Sequence, residues 1–337
     1  MTKPQFRFVT AVPEIDWKTM PALYLTEDDV RELMDMEATI AVLEEVFRQL
    51  GTGGATNVPR VRARAPGVCL HTMSAAAEYL GVVGWKAYTT TAKGNRFHVG
   101  LYRSSDGAPV AMIEANYLGQ LRTGAASGVA TEFMARPDAK VVGVLGSGLQ
   151  ARTQLKAVCT VRKIEMVEVY SPNEERRRIF AEEMAEWCNT KVVPVHAPDA
   201  AALEKDIVIC ASSSRVPLFD GRVLDEGTHL NVVGSNFLTK AEVDVTTIKR
   251  ADVIVCDSRE QCKLEAGDFA EALLEGSTDW SLMYDLADVV NNRTAGRVHP
   301  EDVTLFKSVG LAIEDVALGA EIFKRAKAEG LGRELPF

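Results

Sequence analysis

The sequence predicts an α/β chain in two parts, a doubly wound parallel sheet preceded by a region of mixed helices and antiparallel strands. Three observations carry this prediction. After residue 140, short continuous apolar runs alternate with helical stretches, the pattern of strands covered on both faces. The first of those runs leads into a G-x-G-x-x-A loop and then a helix. Before residue 120 the texture differs, with two amphipathic helices followed by β-rich runs broken by turn residues. The chain's 337 residues are enough for two cores.

Thr26-Glu27-Asp28-Asp29 reads as a helix start, a hydroxyl with an acid three residues on. Val30, Leu33 and Met34 follow, then Ile40, Leu43, Val46, Phe47 and Leu50 at helical spacing. Gly51, Gly53 and Gly54 stop the second helix. From Val61 to Ala115 short β-rich runs follow, among them Gly84–Thr91 and Val99–Tyr102, and Ser104-Ser105-Asp106-Gly107 makes a hairpin-style turn. Tyr117–Ala135 is one helix, ended by Arg136-Pro137-Asp138. Six strands are then expected, at Val141–Leu145, Met166–Tyr170, Lys191–Val195, Ile207–Cys210, His229–Gly234 and Val253–Cys256. Helices are expected from about Leu149 and at Glu174–Cys188. A last amphipathic helix, Ile313–Gly330, is expected to return to the first region, making that domain discontinuous: 1–120 with 312–337 against a Rossmann-type domain at 121–311.

Composition removes several classes of function. Hydrophobic residues at 47% and charged residues at 25% are ordinary globular values. A net charge of −9 argues against nucleic acid or an anionic membrane surface as partner. No apolar run reaches the roughly eighteen residues of a membrane span. Met1–Lys18 shows no continuous apolar segment of the kind a secretory leader needs. The six cysteines, at 69, 159, 188, 210, 256 and 262, form no C-x-x-C pair and suit reduced thiols in a cytoplasmic setting. The five histidines are too dispersed for a metal set, so a metal-free site is expected, with His229 a packed strand residue.

Gly146-Ser147-Gly148-Leu149-Gln150-Ala151 carries the most specific chemistry. The first glycine permits the tight turn, the second lets backbone approach a pyrophosphate, and small Ala151 lets the helix pack closely on the sheet. Free N–H groups and the positive end of the helix dipole then face the phosphates. This is a site for a nicotinamide dinucleotide. An NAD site usually ends its second strand in a carboxylate for the ribose 2′-OH, but Ser171 stands there, followed by Asn173 and by Arg176, Arg177 and Arg178. Hydroxyl, amide and guanidinium groups suit a 2′-phosphate better, which favours NADP(H), although the three arginines could also be a solvated helix face.

The region before the loop offers the groups that hydride exchange with an amino or imino acid requires: a cation for the carboxylate and a proton carrier for the nitrogen. Lys86 lies in an apolar β run, where burial would lower its pKa. Arg122 lies in an otherwise apolar helix, where an unpaired guanidinium is expensive. Arg60 and Arg62 stand in Pro59-Arg60-Val61-Arg62. Taken alone, each is equally a salt-bridged structural residue, and none names a reaction.

Nearly the whole chain resembles the ornithine cyclodeaminase/mu-crystallin family. The matching stretches are Leu25-Thr26-Glu27-Asp28-Asp29-Val30, the Lys86 run, Leu121-Arg122-Thr123-Gly124-Ala125-Ala126, Gly146–Ala151, His229–Gly234 and Thr304–Asp315. The resemblance implies NAD(P)(H), a homodimer built through the first domain, and hydride exchange at an amino-acid Cα. It implies Arg60, with Arg62 close behind, as the grip on the substrate carboxylate, Arg122 as a second carboxylate ligand, and Lys86 as the residue that handles a proton. It also implies cofactor contacts at Thr123, Ser212, Val233, Gly234, Ser308 and Gly310.

One departure is informative. Cyclodeaminases and the family's alanine dehydrogenase carry an acid just after the Val-Gly of the fifth strand, where this chain has Gly234-Ser235-Asn236. An amide cannot take and release a proton as a carboxylate does. The expected function is therefore reduction of an α-imino carboxylate of ketimine, cyclic-imine or iminosuccinate type, or the reverse dehydrogenation. Lys86 would donate the proton and Asn236 would orient the imine. The alternatives are an ornithine-type deaminating cyclase and a mu-crystallin-like NADP-dependent binding protein.

Overall fold

A computed structural model describes residues 21–336. Met1–Lys18, read above as lacking a leader, lie outside the described residues.

The chain opens with strand β1 (Leu23–Leu25) and helix α1 (Glu27–Leu33). The Thr26 hydroxyl accepts from the Asp29 amide at 3.3 Å, and the Asp29 carboxylate accepts from the Thr26 amide at 2.7 Å. This reciprocal cap satisfies two of the donors that a helix start leaves unpaired. Helix α2 (Met36–Thr52) ends at Gly53, whose φ of 87° is the left-handed cap. Gly51, expected to help stop this helix, lies inside its last turn.

A seven-stranded sheet follows, in the order β15-β1-β6-β5-β4-β3-β2. Its members are β2 (Ala55–Ala65), β3 (Val68–Ala77), β4 (Val82–Thr91), β5 (Gly94–Arg103) and β6 (Pro109–Glu114), with β1 and the C-terminal β15 (Arg333–Glu334) added at one side. Strands β2 to β6 form an antiparallel meander, beginning six residues before the Val61 that the sequence suggested. The β2–β3 register shifts between Val58 and Val61, where Pro59 has no N–H to give the ladder. Within that bulge Arg60 is buried.

The second sheet has eight parallel strands in the order β13-β12-β14-β11-β10-β7-β8-β9. They are β7 (Val141–Leu145), β8 (Met166–Tyr170), β9 (Lys191–Pro194), β10 (Ile207–Cys210), β11 (His229–Val232), β12 (Val253–Cys256), β13 (Met283–Asp285) and β14 (Thr304–Lys307). The expectation of six strands needs correction. Strand β14 inserts between β11 and β12, so those two do not pair, and β13 adds an edge. His229 is buried in β11 with Nδ1 2.9 Å from the Thr304 hydroxyl, as a packed strand residue.

Helices α3 (Asn116–Met134), α4 (Leu149–Val161), α5 (Glu174–Cys188), α6 (Val245–Arg250), α7 (Arg259–Glu265), α8 (Ala270–Leu274) and α9 (Leu286–Val290) accompany the parallel sheet. Apolar clusters fill both of its faces, Val142, Val144 and Leu155 in one, Leu145, Val208 and Leu305 in the other. Helix α10 (Ala312–Glu329) runs back onto the first sheet, and Ile313, Val316 and Ala317 join Val82, Val99 and Leu101 in its core. The N-terminus of α3 has no side-chain cap of its own, and the Glu27 carboxylate of α1 accepts the Asn116 and Tyr117 amides at 2.6 and 2.9 Å. Among the described residues no helix is long and apolar enough to cross a membrane.

Candidate active site

The glycine loop is built for an anion. Gly146 holds φ at 126°, and a Cβ there would lie 2.3 Å from the Ala211 carbonyl, so only glycine fits this turn. Gly148 is the N-cap of α4, brings no capping side chain, and has open space where its Cβ would stand. The first turn of α4 carries no acid, leaving its N–H groups to a pyrophosphate. Ala151 is buried against the sheet. Leu149, by contrast, is largely exposed, and the buried side-chain oxygen of Gln150 has no hydrogen-bond partner. These features fit a dinucleotide. Replacing Gly146 by Ala should weaken NAD(P)H binding by about 10- to 100-fold, from roughly 1–3 kcal/mol of backbone strain plus the clash. Titration of nicotinamide fluorescence measures it.

At the end of β8 the Ser171 and Ser147 hydroxyls are 2.9 Å apart, and the Asn173 side chain caps α5 by accepting the Arg176 amide. The three arginines have different fates. Arg177 is buried, donates to the Ser171 carbonyl at 3.0 Å and lies over the Tyr170 ring. Arg178 pairs with Glu175 and Glu182 on the helix surface. The Arg176 guanidinium has no such partner among the described residues. Arg152, not singled out from sequence, bonds the Ser147 carbonyl at 2.7 Å and ties the loop to Glu183.

Two buried carboxylates hold the ends of the neighbouring strands. Glu242 accepts the Ser212 and Gly234 amides at 2.7 and 2.6 Å, fixing the ends of β10 and β11. Asp257 accepts the Ser308 hydroxyl at 2.9 Å and the Val309 and Gly310 amides at 2.8 and 2.7 Å. The Ser308 hydroxyl and Gly310 amide are thus already engaged by the protein. Val233 follows β11, and its amide donates to the Cys210 carbonyl at 2.9 Å. Thr123 donates its hydroxyl to the Gly119 carbonyl at 2.7 Å and accepts from Gln154 at 2.8 Å, joining α3 to α4.

Lys86, Arg60, Arg62 and Arg122 converge from β4, β2 and α3. Lys86 Nζ lies 2.6 Å from Asp315 Oδ1 in the first turn of α10, with both side chains at most 2% exposed. Arg122 donates to Glu314 Oε2 at 2.7 Å and lies 3.4 Å from Asp315. Arg60 donates to Glu265 Oε2 and to the Val309 and Gly310 carbonyls at 3.1 and 3.2 Å. Arg62 reaches the other oxygen of Glu265 at 2.7 Å and the Asn236 carbonyl at 3.0 Å, and stacks on Phe237. Asn236 therefore meets the cluster through its backbone. Gly310, with φ at 82°, sits against Arg122, where a Cβ would come within 2.5 Å of Nη1.

Burial, and then the neighbouring Arg122, bring the Lys86 ammonium down to about 8, with Asp315 opposing the shift. Burial pushes Glu314 up to about 7 against the pull of Arg122. A buried lysine whose ammonium is destabilised in this way can pass a proton to a bound substrate.

Sequence reasoning did not assign roles to Glu265, Asp315, Glu314, Glu242 or Asp257. Helices are rich in solvent-facing acids, so nothing local marks Glu265. The cost of burying Arg122 did require an acid partner, and the first turn of the last helix was where to look for one.

Fold and site together define a nicotinamide-dependent oxidoreductase. The chain belongs to the ornithine cyclodeaminase/mu-crystallin family, whose model matches residues 20–330. It is 33% identical to a Δ1-pyrroline-2-carboxylate reductase of Bacillus cereus over 79% of this chain and 84% of that one. It is 30% identical to an alanine dehydrogenase of Archaeoglobus fulgidus over 94% of this chain and 99% of that one. Among solved structures, the Δ1-pyrroline-2-carboxylate reductase of Thermococcus litoralis, in complex with NADH and L-proline, superposes with a TM-score of 0.90 at 33% identity, covering 93% of this chain and all of that one (100%).

Proposed function

We propose that this oxidoreductase reduces an α-imino carboxylate to the amino acid with NAD(P)H, and that a cyclic imine of the Δ1-pyrroline-2-carboxylate kind is its substrate class. The observation that carries the proposal is the buried Lys86, its ammonium 2.6 Å from Asp315 and flanked by the guanidinium groups of Arg60 and Arg122. A nicotinamide dinucleotide held at the glycine loop would supply the hydride for the imino carbon. Arg60, Arg62 and Arg122 hold the substrate carboxylate, with Glu265 keeping the first two guanidinium groups aligned. Lys86 gives its proton to the imine nitrogen, so that one hydride and one proton convert C=N to CH–NH. Asn236 orients the nitrogen and cannot serve as base, which disfavours deaminating cyclisation. A panel of Δ1-pyrroline-2-carboxylate, pyruvate with ammonia, and iminosuccinate, followed by NADH and NADPH absorbance, tests this. Turnover of the cyclic imine is expected, and silence across the panel would contradict the proposal.

For the cofactor, the absence of a carboxylate at the end of β8 and an Arg176 guanidinium without a partner among the described residues support NADP(H). Arg176→Ala should raise KM for NADPH about tenfold, the loss of one exposed charge-assisted contact, and leave KM for NADH nearly unchanged. Steady-state kinetics with both cofactors decide it.

The same proposal takes residues 1–120 with 312–337 as the substrate and dimerisation unit and 121–311 as the cofactor unit. The return of α10 and β15 to the first sheet supports this, although the 120/121 boundary falls inside α3. A homodimer is supported by the first sheet's outer face, where Val61, Leu70, Val83 and Tyr102 are exposed and where, among the described residues, β2 is an edge strand. A solved structure of an archaeal alanine dehydrogenase at 29% identity is a dimer with bound NAD. Six free thiols support a reducing, cytoplasmic setting.

A further inference from the structure

We infer that Asp315 is the positioning residue that keeps Lys86 protonated for its role in the reaction, so that the acid this chain lacks at position 236 is not needed for proton supply. The inference rests on the assignment of Lys86 made above. Groups from four elements, β2, α3, β5 and α10, face the Lys86 ammonium. From β2 comes Arg60 and from α3 come Arg122 and the bare Cα of Gly119, where a Cβ would lie 3.3 Å from Nζ. From β5 comes the Phe97 ring, 5.4 Å away, and from α10 come Asp315 and, beyond Arg122, Glu314.

Two of the charged neighbours are cations that favour loss of the proton, and burial acts in the same direction. Among the described residues Asp315 is the one carboxylate in contact with Nζ, at 2.6 Å. Its other oxygen, Oδ2, is buried without a hydrogen bond, so the carboxylate's charge is matched by Lys86 and Arg122 alone. Glu314 is committed to Arg122 and cannot take over. The first turn of α10 adds its dipole to the stability of the anion. Asp315 therefore acts through Lys86 and need not touch the substrate.

The test is the pH dependence of kcat/KM for NAD(P)H-dependent imine reduction by the full-length enzyme, with nicotinamide fluorescence reporting that each variant still binds cofactor. In the parent enzyme kcat/KM is expected to fall above about pH 8, as Lys86 loses its proton. In Asp315→Asn that limb moves to lower pH by about two units, since a close opposite charge is worth roughly 1–3 units. Activity at pH 7 then drops about tenfold and recovers on acidification. Asp315→Glu, which restores the anion, returns the limb toward its parent position. If the Asn variant does not bind cofactor, Asp315→Ser, which leaves room for a water, is read in the same way. A uniform loss of activity with the limb unmoved would show a merely structural Asp315 and overturn the inference. The limb should vanish in Lys86→Arg, and its persistence there would overturn the assignment of Lys86 itself.

Discussion

Replacing Lys86 by Met is expected to lower kcat for imine reduction by about 10²- to 10⁴-fold, the usual worth of a positioned proton donor. Cofactor affinity should hardly change, because Lys86 lies on the first sheet and the glycine loop on the second. Met keeps the length and apolar stem of lysine and removes only the cation. Asp315 keeps Arg122 at 3.4 Å, so the fold should survive. The two directions of the reaction should show opposite pH limbs in the parent enzyme. Reduction needs the Lys86 ammonium and is lost as pH rises through about 8, whereas oxidation needs the free amine and is lost as pH falls through the same value. Single-turnover rates with saturating cofactor measure the chemistry apart from binding.

The second large effect is on stability. Arg122→Met should cost about 3–5 kcal/mol, because breaking a buried pair strands its partner charges. Here Glu314 loses its 2.7 Å partner and Asp315 one of two cations, and both acids are fully buried. The cost should depend on pH with a definite sign. Burial already raises the Glu314 carboxyl to about 7, and without Arg122 it rises further. The folded variant then holds a proton that the unfolded chain gives up at ordinary carboxylate pH. Stability falls as pH rises through that window, so the loss against the parent should be smallest near pH 5 and largest near pH 8. Denaturant melts at both pH values measure the difference.

Much of the architecture was legible because burial on both faces writes itself as unbroken apolar runs, as in Val141–Leu145 and Ile207–Cys210. Strand β14 was not legible because it carries Lys307, which reads as a surface residue. In the fold Lys307 is fully buried, 2.7 Å from Asp268 and 2.9 Å from the Ser235 carbonyl, an ion pair that sequence spacing cannot show. Strand β13 has three residues, too few for any period.

Within the site, the cations stood out because each sits among apolar neighbours, whereas their acid partners lie on helices where acids are common. Lys86 and Asp315 are 229 positions apart and meet only because α10 returns across β4. Arg177 and Arg178 show the converse. As a triplet with Arg176 they suggested a phosphate site, yet one is packed over the Tyr170 ring and the other is spent on surface pairs. Helical geometry sends consecutive residues to different faces, so a run of like residues rarely acts as one group.

The central claim, net hydride delivery to an imino carbon, is tested most directly by isotope transfer. With NAD(P)H carrying deuterium on both C4 positions and Δ1-pyrroline-2-carboxylate as substrate, one deuterium should appear at Cα of the proline formed, with one oxidised cofactor per product. Proline and ammonia released from ornithine on catalytic cofactor, with no net oxidation and no label from the deuterated imine assay, would contradict it.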